Sequence, residues 1–294
     1  MKPIRQISRR AWLLIPLCIV SLRQIAASDL RIATYNLQGY RLESTGAWTT
    51  KSPISRLAVR DVLVSVDADV VALQEVGSTE ALTHLARQLK QAGHPYPFQA
   101  IGRAAEAPLQ LGFLSRKPFS KPVVWTQPDY LHFGVRARIS RGFLETEILF
   151  EAQPTRILNV HLKSALPSRL GESHRIRYAE ACLLRERAMA IQRESPGTHL
   201  VLVGDFNAPK RSKELRVLLD DRSLGLQVPS PEGGFSPQFW THYYQANDAY
   251  SQLDHVFFLP GDSTPRAPTV APRPHPLWRL ASDHRPILLT LPAE

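Results

Sequence analysis

A chain of 294 residues, 44% apolar and 21% charged, is long enough to bury a sizeable core and too apolar to remain disordered. Its two cysteines, Cys18 and Cys182, exclude a disulfide scaffold, and no zinc-type Cys/His spacing is present. The formal charge of +10 is uneven: Lys2, Arg5, Arg9, Arg10 and Arg23 meet no acid within residues 1–28, and the remaining 31 basic and 26 acidic residues leave +5, which suits a polyanionic substrate or an anionic membrane but equally a plain solvated surface.

The chain opens with the layout of a secretory signal. A basic stretch ends at Arg10, an apolar run follows from Ala11 to Leu22, and the small residues Ala26, Ala27 and Ser28 precede Asp29. The run is shorter than the roughly 20 residues that a spanning helix needs. Ser8-Arg9-Arg10 hints at a twin-arginine signal, and an uncleaved anchor is the alternative to cleavage. The expectation is therefore a secreted or periplasmic protein with residues 29–294 as one domain, or a membrane-anchored one if the signal stays. Cleavage would remove Cys18 and leave Cys182, which sits in a helical pattern and reads as a buried structural thiol.

Leu30–Tyr35 reads as a strand. Ser52-Pro53 supplies an N-cap and a first helical residue for a helix to Val66. Asp69–Val76 reads as a buried strand, and Ser78–Gln91 as a helix stopped near Gly93. This β-α-β-α opening argues for an α/β or mixed sandwich. The middle changes character: Val135–Ile139, Phe143–Glu151 and Thr155–Leu162 read as an antiparallel meander. A long basic helix from Glu172 to Glu194, an apolar strand His199–Gly204, a short helix near Ser212–Leu219 and strands near Gln252–Leu259 and Pro286–Leu291 complete the pattern. Parallel-type and antiparallel segments together predict two sheets packed face to face, with helices outside.

Five short motifs place polar residues at or beside the ends of these strands, where a rigid scaffold can aim them into one cleft. Asn36 follows the first strand; alone it is an ordinary turn residue. Glu75, in Gln74-Glu75, ends a buried strand, where a carboxylate needs a salt bridge or a cation. His161 and Lys163, in Asn159-Val160-His161-Leu162-Lys163-Ser164, share a face by the period of two and together would hold a phosphate, although a lone strand histidine is usually structural. Asp205 and Asn207, in Gly204-Asp205-Phe206-Asn207-Ala208-Pro209, can orient a water; a strand-ending turn explains the glycine, asparagine and proline but does not require the acid. Asp283 and His284, in Ser282-Asp283-His284-Arg285-Pro286, offer one group to a metal and one to a phosphate, and Asp254, in Leu253-Asp254-His255, would fix the tautomer of His284.

Each motif is weak alone, but their joint order over most of the chain is not. From about Asp29 to the C-terminus the chain resembles the endonuclease/exonuclease/phosphatase (DNase-I-like) family, with Gly112–Pro118 and Trp240-Thr241 as further family-like segments. The resemblance implies a four-layer α/β sandwich with two central mixed β-sheets flanked by helices, and a metal-dependent phosphoric ester hydrolase. It implies Glu75 as the direct ligand of Mg²⁺, with Mn²⁺ or Ca²⁺ as alternatives, and Asn36 and Asp283 beside it. It also implies Asp205 to orient or deprotonate water, Asn207 to bind phosphate or nucleophile, His161 and His284 to contact the scissile phosphate, Asp254 to orient His284, and Arg141 as a further phosphate contact. Two departures, Gln38 where repair nucleases carry an acid and His161 where they carry a tyrosine, turn the expectation from abasic-site repair toward DNase-like, sphingomyelinase-like or general phosphodiesterase branches.

A secreted nuclease acting as a monomer is the leading expectation. A phospholipid or small phosphate-ester hydrolase is the second, and a catalytically dead binding protein of the same fold the third. The basic helix, with Lys210, Arg211 and Lys213, would line a nucleic-acid groove or form a solvated face. The aromatic stretch Phe235, Phe239, Trp240, Tyr243 and Tyr244 would stack bases, touch lipid or pack as core and loop.

Overall fold

Helix signals in the sequence act where they stand. In the computed structural model, which describes residues 28–44, 46, 48–102, 108–126, 130–132, 135–137, 139, 141–164, 172–234, 239–262 and 267–293, the Ser52 hydroxyl accepts from the Ser55 N–H at 3.1 Å and Pro53 opens α1 (Pro53–Val66). Ser78 and Ser212 cap α2 (Thr79–Gln91) and α4 (Lys213–Leu219) in the same way. The export signal and Phe235 lie outside the described residues. Among the described residues no helix is long and apolar enough to cross a membrane.

In chain order the first strands are β1 (Leu30–Tyr40), β2 (Val70–Val76), β3 (Phe98–Gly102), β4 (Gln110–Ser115), β5 (Val123–Trp125), β6 (Tyr130–His132) and β7 (Val135–Ala137). They are followed by β8 (Phe143–Phe150), β9 (Gln153–His161), α3 (Glu172–Glu194), β10 (His199–Asp205) and, after α4, β11 (Ser230–Pro231). The rest comprises β12 (His242–Tyr244), β13 (Ala249–Ser251), β14 (Asp254–Leu259), β15 (Thr269–Pro272), α5 (Trp278–Ala281) and β16 (Ile287–Leu291). A seven-stranded sheet runs β11-β15-β16-β1-β2-β4-β3 and a five-stranded sheet β14-β10-β9-β8-β5. Both are mixed: β1/β2 and β9/β10 are parallel pairs, and β1/β16, β2/β4, β8/β9 and β10/β14 are antiparallel.

One apolar layer joins the two sheets, with Ile32, Val70 and Phe113 of the first meeting Leu144, Ile157 and Val201 of the second. A second layer seats α1 and α2 on the outside of the seven-stranded sheet, and a third seats α3 and α4 on the outside of the five-stranded one. The result is the four-layer α/β sandwich expected from the sequence. A buried amide pair also crosses between the sheets. Gln74 Nε2 donates to Asn159 Oδ1 at 2.7 Å, while Asn159 Nδ2 donates to the carbonyls of Leu73 and Gly112 at 2.9 and 3.0 Å. The Asn159 amide is thereby bonded at both ends, as a polar group in an apolar layer requires, while Gln74 Oε1 has no partner among the described residues.

Three expectations change. Val135–Ala137 does not join the meander; it pairs with β6 in a separate two-stranded ribbon. The first strand runs on to Tyr40 through an irregularity in its register with β2, beyond the Tyr35 that the apolar run suggests. Cys182 is half-buried in α3 rather than buried, and burial pushes its thiol pKa up, away from reactivity.

Candidate active site

Strand register assembles half of the site. On neighbouring strands of the five-stranded sheet, His161, Asp205 and Asp254 stand at one level, Asp205 pairing with His161 on one side and with Asp254 on the other. Gly204 permits this: its φ is +142°, and a Cβ there would lie 2.0 Å from the Val160 carbonyl oxygen. The other half comes from the seven-stranded sheet. Asn36 lies opposite Gln74 in the β1/β2 ladder, and the Ser282 hydroxyl donates to the Asn36 carbonyl at 2.8 Å, holding Asp283 and His284 against that strand just before β16. The sequence placed these groups at the C-terminal ends of apolar strands or just beside the strands. Glu75, His161 and Asp205 stand at or next to the C-terminal ends of β2, β9 and β10, whereas Asn36 lies inside the longer β1, Asp254 begins β14 and Asp283-His284 precedes β16, because antiparallel strands bring their N-terminal ends to the same edge.

The halves meet directly. Asn36 Nδ2 donates to Asp205 Oδ2 at 3.0 Å across the sandwich and lies 3.4 Å from Glu75 Oε1. His161 Nε2 is 3.5 Å from Asp205 Oδ2 and 4.0 Å from Glu75 Oε1. His284 Nδ1 is 2.7 Å from Asp254 Oδ2, and its Nε2 is 3.8 Å from Asp205 Oδ2 and 4.0 Å from Asp283 Oδ1. Three residues here have left-handed backbones without being glycine: Gln38, Glu75 and Asn207, with φ of 49°, 61° and 50°. Glu75 also lies where the β2/β4 register shifts between Leu73 and Val76, a bulge that re-aims its side chain. Strain of about 1–3 kcal/mol per residue persists only where the surroundings impose it, and it gathers at working sites.

Electrostatics separate these groups. Burial and the charge of Asp254 raise the Asp205 carboxyl well above the ordinary range, against the His284 charge and hydrogen bonds from the Asn207 N–H and Asn36. Burial opposes a charged His284, yet Asp254, through its charge and hydrogen bond, together with Asp205 and Asp283, carries it up to about 10. His161 moves the other way, far below its usual value, through burial and the charges of Arg141 and His284. Among the described residues its buried Nδ1 has no hydrogen-bond partner. Burial raises Glu75, and so does the charge of Asp283, while His284, Arg141 and Asn36 lower it. A neutral histidine, a charged histidine and a carboxyl poised to titrate thus share one mouth.

The structure therefore brings together Asn36, Glu75, His161, Asp205, Asp254, Asp283 and His284. Asn207 adjoins them, its Nδ2 donating to the Leu162 carbonyl at 3.0 Å, which sets the plane of the amide. Arg141 is close enough for its charge to act on both Glu75 and His161, and its Nη1 donates to the Leu162 carbonyl at 3.1 Å. Lys163 lies two residues past the end of β9, so the strand period does not extend to it; its N–H donates to Glu180 at 2.6 Å and its carbonyl accepts from Arg177 at 3.1 Å. Sequence reasoning missed Lys51 and His242. Buried Lys51 donates to the Gln38 carbonyl at 3.3 Å, and burial lowers its amine to about 8 against the charges of Asp283 and Glu75. The His242 ring lies 4.7 Å from that of His284, with its Nε2 4.0 Å from Asp283 Oδ2. Neither carries a local signal, since Lys51 reads as part of a helix lead-in and β12 is too short for periodicity to register.

A sequence model of the Endonuclease/Exonuclease/phosphatase family matches residues 33–284, a span that includes every site residue named above. The chain belongs to this family. Its members hydrolyse phosphoesters with a divalent metal, and the fold agrees with solved structures of related architecture. Truncated TDP2 of Caenorhabditis elegans is 17% identical, with a TM-score of 0.64 over 90% of this chain and 98% of that one. Sphingomyelinase C of Streptomyces griseocarneus is 18% identical, with a TM-score of 0.61 over 90% and 99%. The catalytic domain of human Nocturnin is 16% identical, with a TM-score of 0.62 over 90% and 94%. At these identities the likeness is one of fold. No curated protein sequence matches the chain.

Among the described residues the tightest group of metal-capable atoms is Asp205, Asp254 and His284, all within 4.8 Å of one another. Two of the three are committed to each other through the 2.7 Å contact, and a charged imidazole repels a cation. Glu75 is the better candidate for a ligand. It is a carboxylate in a desolvated place, with a second carboxylate acting on it and, among the described residues, a long donation from Asn36 as its hydrogen bond, and this donor set fits a hard divalent ion.

Proposed function

We propose that the chain is an exported, divalent-metal-dependent phosphodiesterase and that nucleic acid is its substrate. The observation that carries this reading is the convergence of Asp205, His161, Asn36 and the Asp254–His284 pair from both sheets at one mouth. Export is supported by the signal-like pattern of residues 1–28, and a polyanionic substrate by the basic charge that remains beyond it.

Glu75, with Asp283 and Asn36 beside it, would hold the ion, Mg²⁺ first and Mn²⁺ or Ca²⁺ as alternatives, which polarises the phosphoryl oxygens when bound. Hydrolysis joins a water oxygen to phosphorus and breaks the ester P–O bond. Asp205 is the group placed to take the water proton, because its raised pKa brings it closer to neutrality than an exposed carboxylate while Asn36 and the Asn207 N–H hold its orientation. His284, charged at neutral pH and locked by Asp254, offers Nε2–H to oxygens that gain charge. Neutral His161 and the Asn207 amide complete the cradle. Arg141 adds a cation for the phosphate, with Lys163 as an outer contact.

Purified chain is assayed on plasmid DNA and sphingomyelin in parallel with Mg²⁺, Mn²⁺ or Ca²⁺, with EDTA and Asp205→Ala as controls. Metal-dependent nicking lost in the variant is the expected result. Glu75→Ala and His284→Ala should each abolish turnover without unfolding the chain, and a well-folded, fully active His284→Ala protein removes the assignment. A phospholipid substrate is the second reading, favoured by the likeness to a sphingomyelinase C, and cleavage of sphingomyelin alone would establish it. Silence on both substrates points to a small phosphate ester or to a binding protein of the same fold.

A further inference from the structure

A cleft of about 470 Å³ opens beside Asp283, lined by Gln38, Tyr243, Tyr244, Trp278 and Arg279. Its aromatic wall is fastened to the catalytic segment. The Tyr243 N–H donates to the Asp283 carbonyl at 2.9 Å, the Arg285 N–H donates to the Thr241 carbonyl, and His242 bridges to His284. The rings brace one another: Tyr243 lies 4.8 Å from Tyr250 and 5.7 Å from Trp278, and Trp278 lies 5.0 Å from Trp240. Gln38 also lines the cleft, and its N–H donates to Asn36 Oδ1 at 3.0 Å.

The geometry points to a nucleobase subsite in this cleft, taking the base next to the scissile phosphate between Tyr244, Arg279 and the Tyr243–Trp278 wall. The proposal rests on the nuclease reading and deepens it. Braced rings lose little freedom when a base stacks on them, and every base has a π-face to offer. Tyr244 is 46% exposed and so is open to a ligand. The Arg279 guanidinium, 4.8 Å from the Tyr243 centroid and 5.2 Å from that of Trp278, already serves these rings as their cation and presents a flat face of its own. A quaternary ammonium head group would meet that positive charge, whereas a neutral planar base would not.

Two labelled single-stranded octanucleotides test this, one with normal bases and one with abasic tetrahydrofuran residues, titrated into the full chain in EDTA and followed by polarisation and tryptophan quenching. The base-bearing strand should bind about tenfold more tightly, and Tyr244→Ala and Arg279→Ala should each remove most of that difference while melting like the parent. Equal affinity for both strands overturns the subsite. So does binding of sphingomyelin vesicles through Tyr244 and exposed Leu280 without base preference. A Mg²⁺ assay on the same strand separates the two readings. Base preference without cleavage keeps the subsite and ends the nuclease reading, and cleavage without base preference does the reverse.

Discussion

Two regions of this chain bury charge, and they do it in opposite ways. Under α3, Arg187 grips Glu145 through two bonds of 2.8 and 2.9 Å, Arg156 adds a third at 3.1 Å, and Arg177 meets Glu214 at 2.9 Å. Every charge there has a partner at full hydrogen-bond distance. At the mouth, charged groups approach Asp205, Glu75 and Asp283 only to 3.5 to 4.0 Å, Asp205 takes its short bonds from the neutral donors Asn36 and the Asn207 N–H at 3.0 and 2.8 Å, and the Asp254–His284 pair is the tight ion pair. Charge content alone therefore does not separate scaffold from site; what separates them is whether each charge is closely paired with an opposite one. The same contrast corrects the reading of α3 as a basic face. Arg177 and Arg187 point inward, and it is Arg175, Arg185, Lys213 and Arg216 that line an open groove of about 700 Å³ between α3 and α4, together with Asp220 and Asp221.

The largest expected effect breaks the mouth. Asp205→Asn should lower kcat by about 10³-fold or more, in the range seen when a catalytic proton acceptor or preorganised group is removed. Its melting temperature should hold or rise, since a carboxyl that burial disfavours is gone; a large drop would class Asp205 with the scaffold. Arg187→Ala should do the converse. It removes two of the three bonds on buried Glu145, leaving Arg156 alone, and costs up to about 3–5 kcal/mol in urea unfolding, while activity per folded molecule stays within about twofold.

Acid comes next. His255 is buried, its Nε2 2.8 Å from the Ala208 carbonyl oxygen, and burial lowers its pKa to about 4 from the ordinary 6.5. The unfolded chain takes up this proton below about 6.5 while the native chain does not, so stability is complete above that pH and falls through the window down to about 4, by about 3 kcal/mol from this group. His161 is lowered too and steepens the same loss. Urea midpoints between pH 7 and 4 measure it, and His255→Gln should flatten the slope. The smallest effect sharpens the comparison from the outside: Arg216→Ala, in the open groove, should move stability by less than about 0.5 kcal/mol, although it removes the same charge from the same helix pair as a buried arginine would.

Much of this was legible in the sequence. The serine caps and apolar runs placed α1 to α4 and the central strands, because those elements follow local periodicity. The polar residues at strand ends were legible because so few apolar strands finish on Glu, His or Asp. What was not legible depends on contacts between distant segments. The bulge at Glu75, the detachment of β6 and β7 into their own ribbon, and the positions of Lys51 and His242 are settled by pairing and packing. The inward turn of Arg177 and Arg187 is of this kind as well, since glutamates from β8 and α4 draw them in.

The Asn36–Asp205 bond joins residues 169 positions apart and spans two separate sheets. Neither sheet, however well formed, contains a working centre. Turnover can begin only after the two β-layers have docked in register, so its return during refolding should lag the recovery of far-ultraviolet dichroism. On the proposed function, activity would act as a gauge of sandwich closure, and a slip of a few ångströms between layers would abolish it while leaving every helix and strand in place.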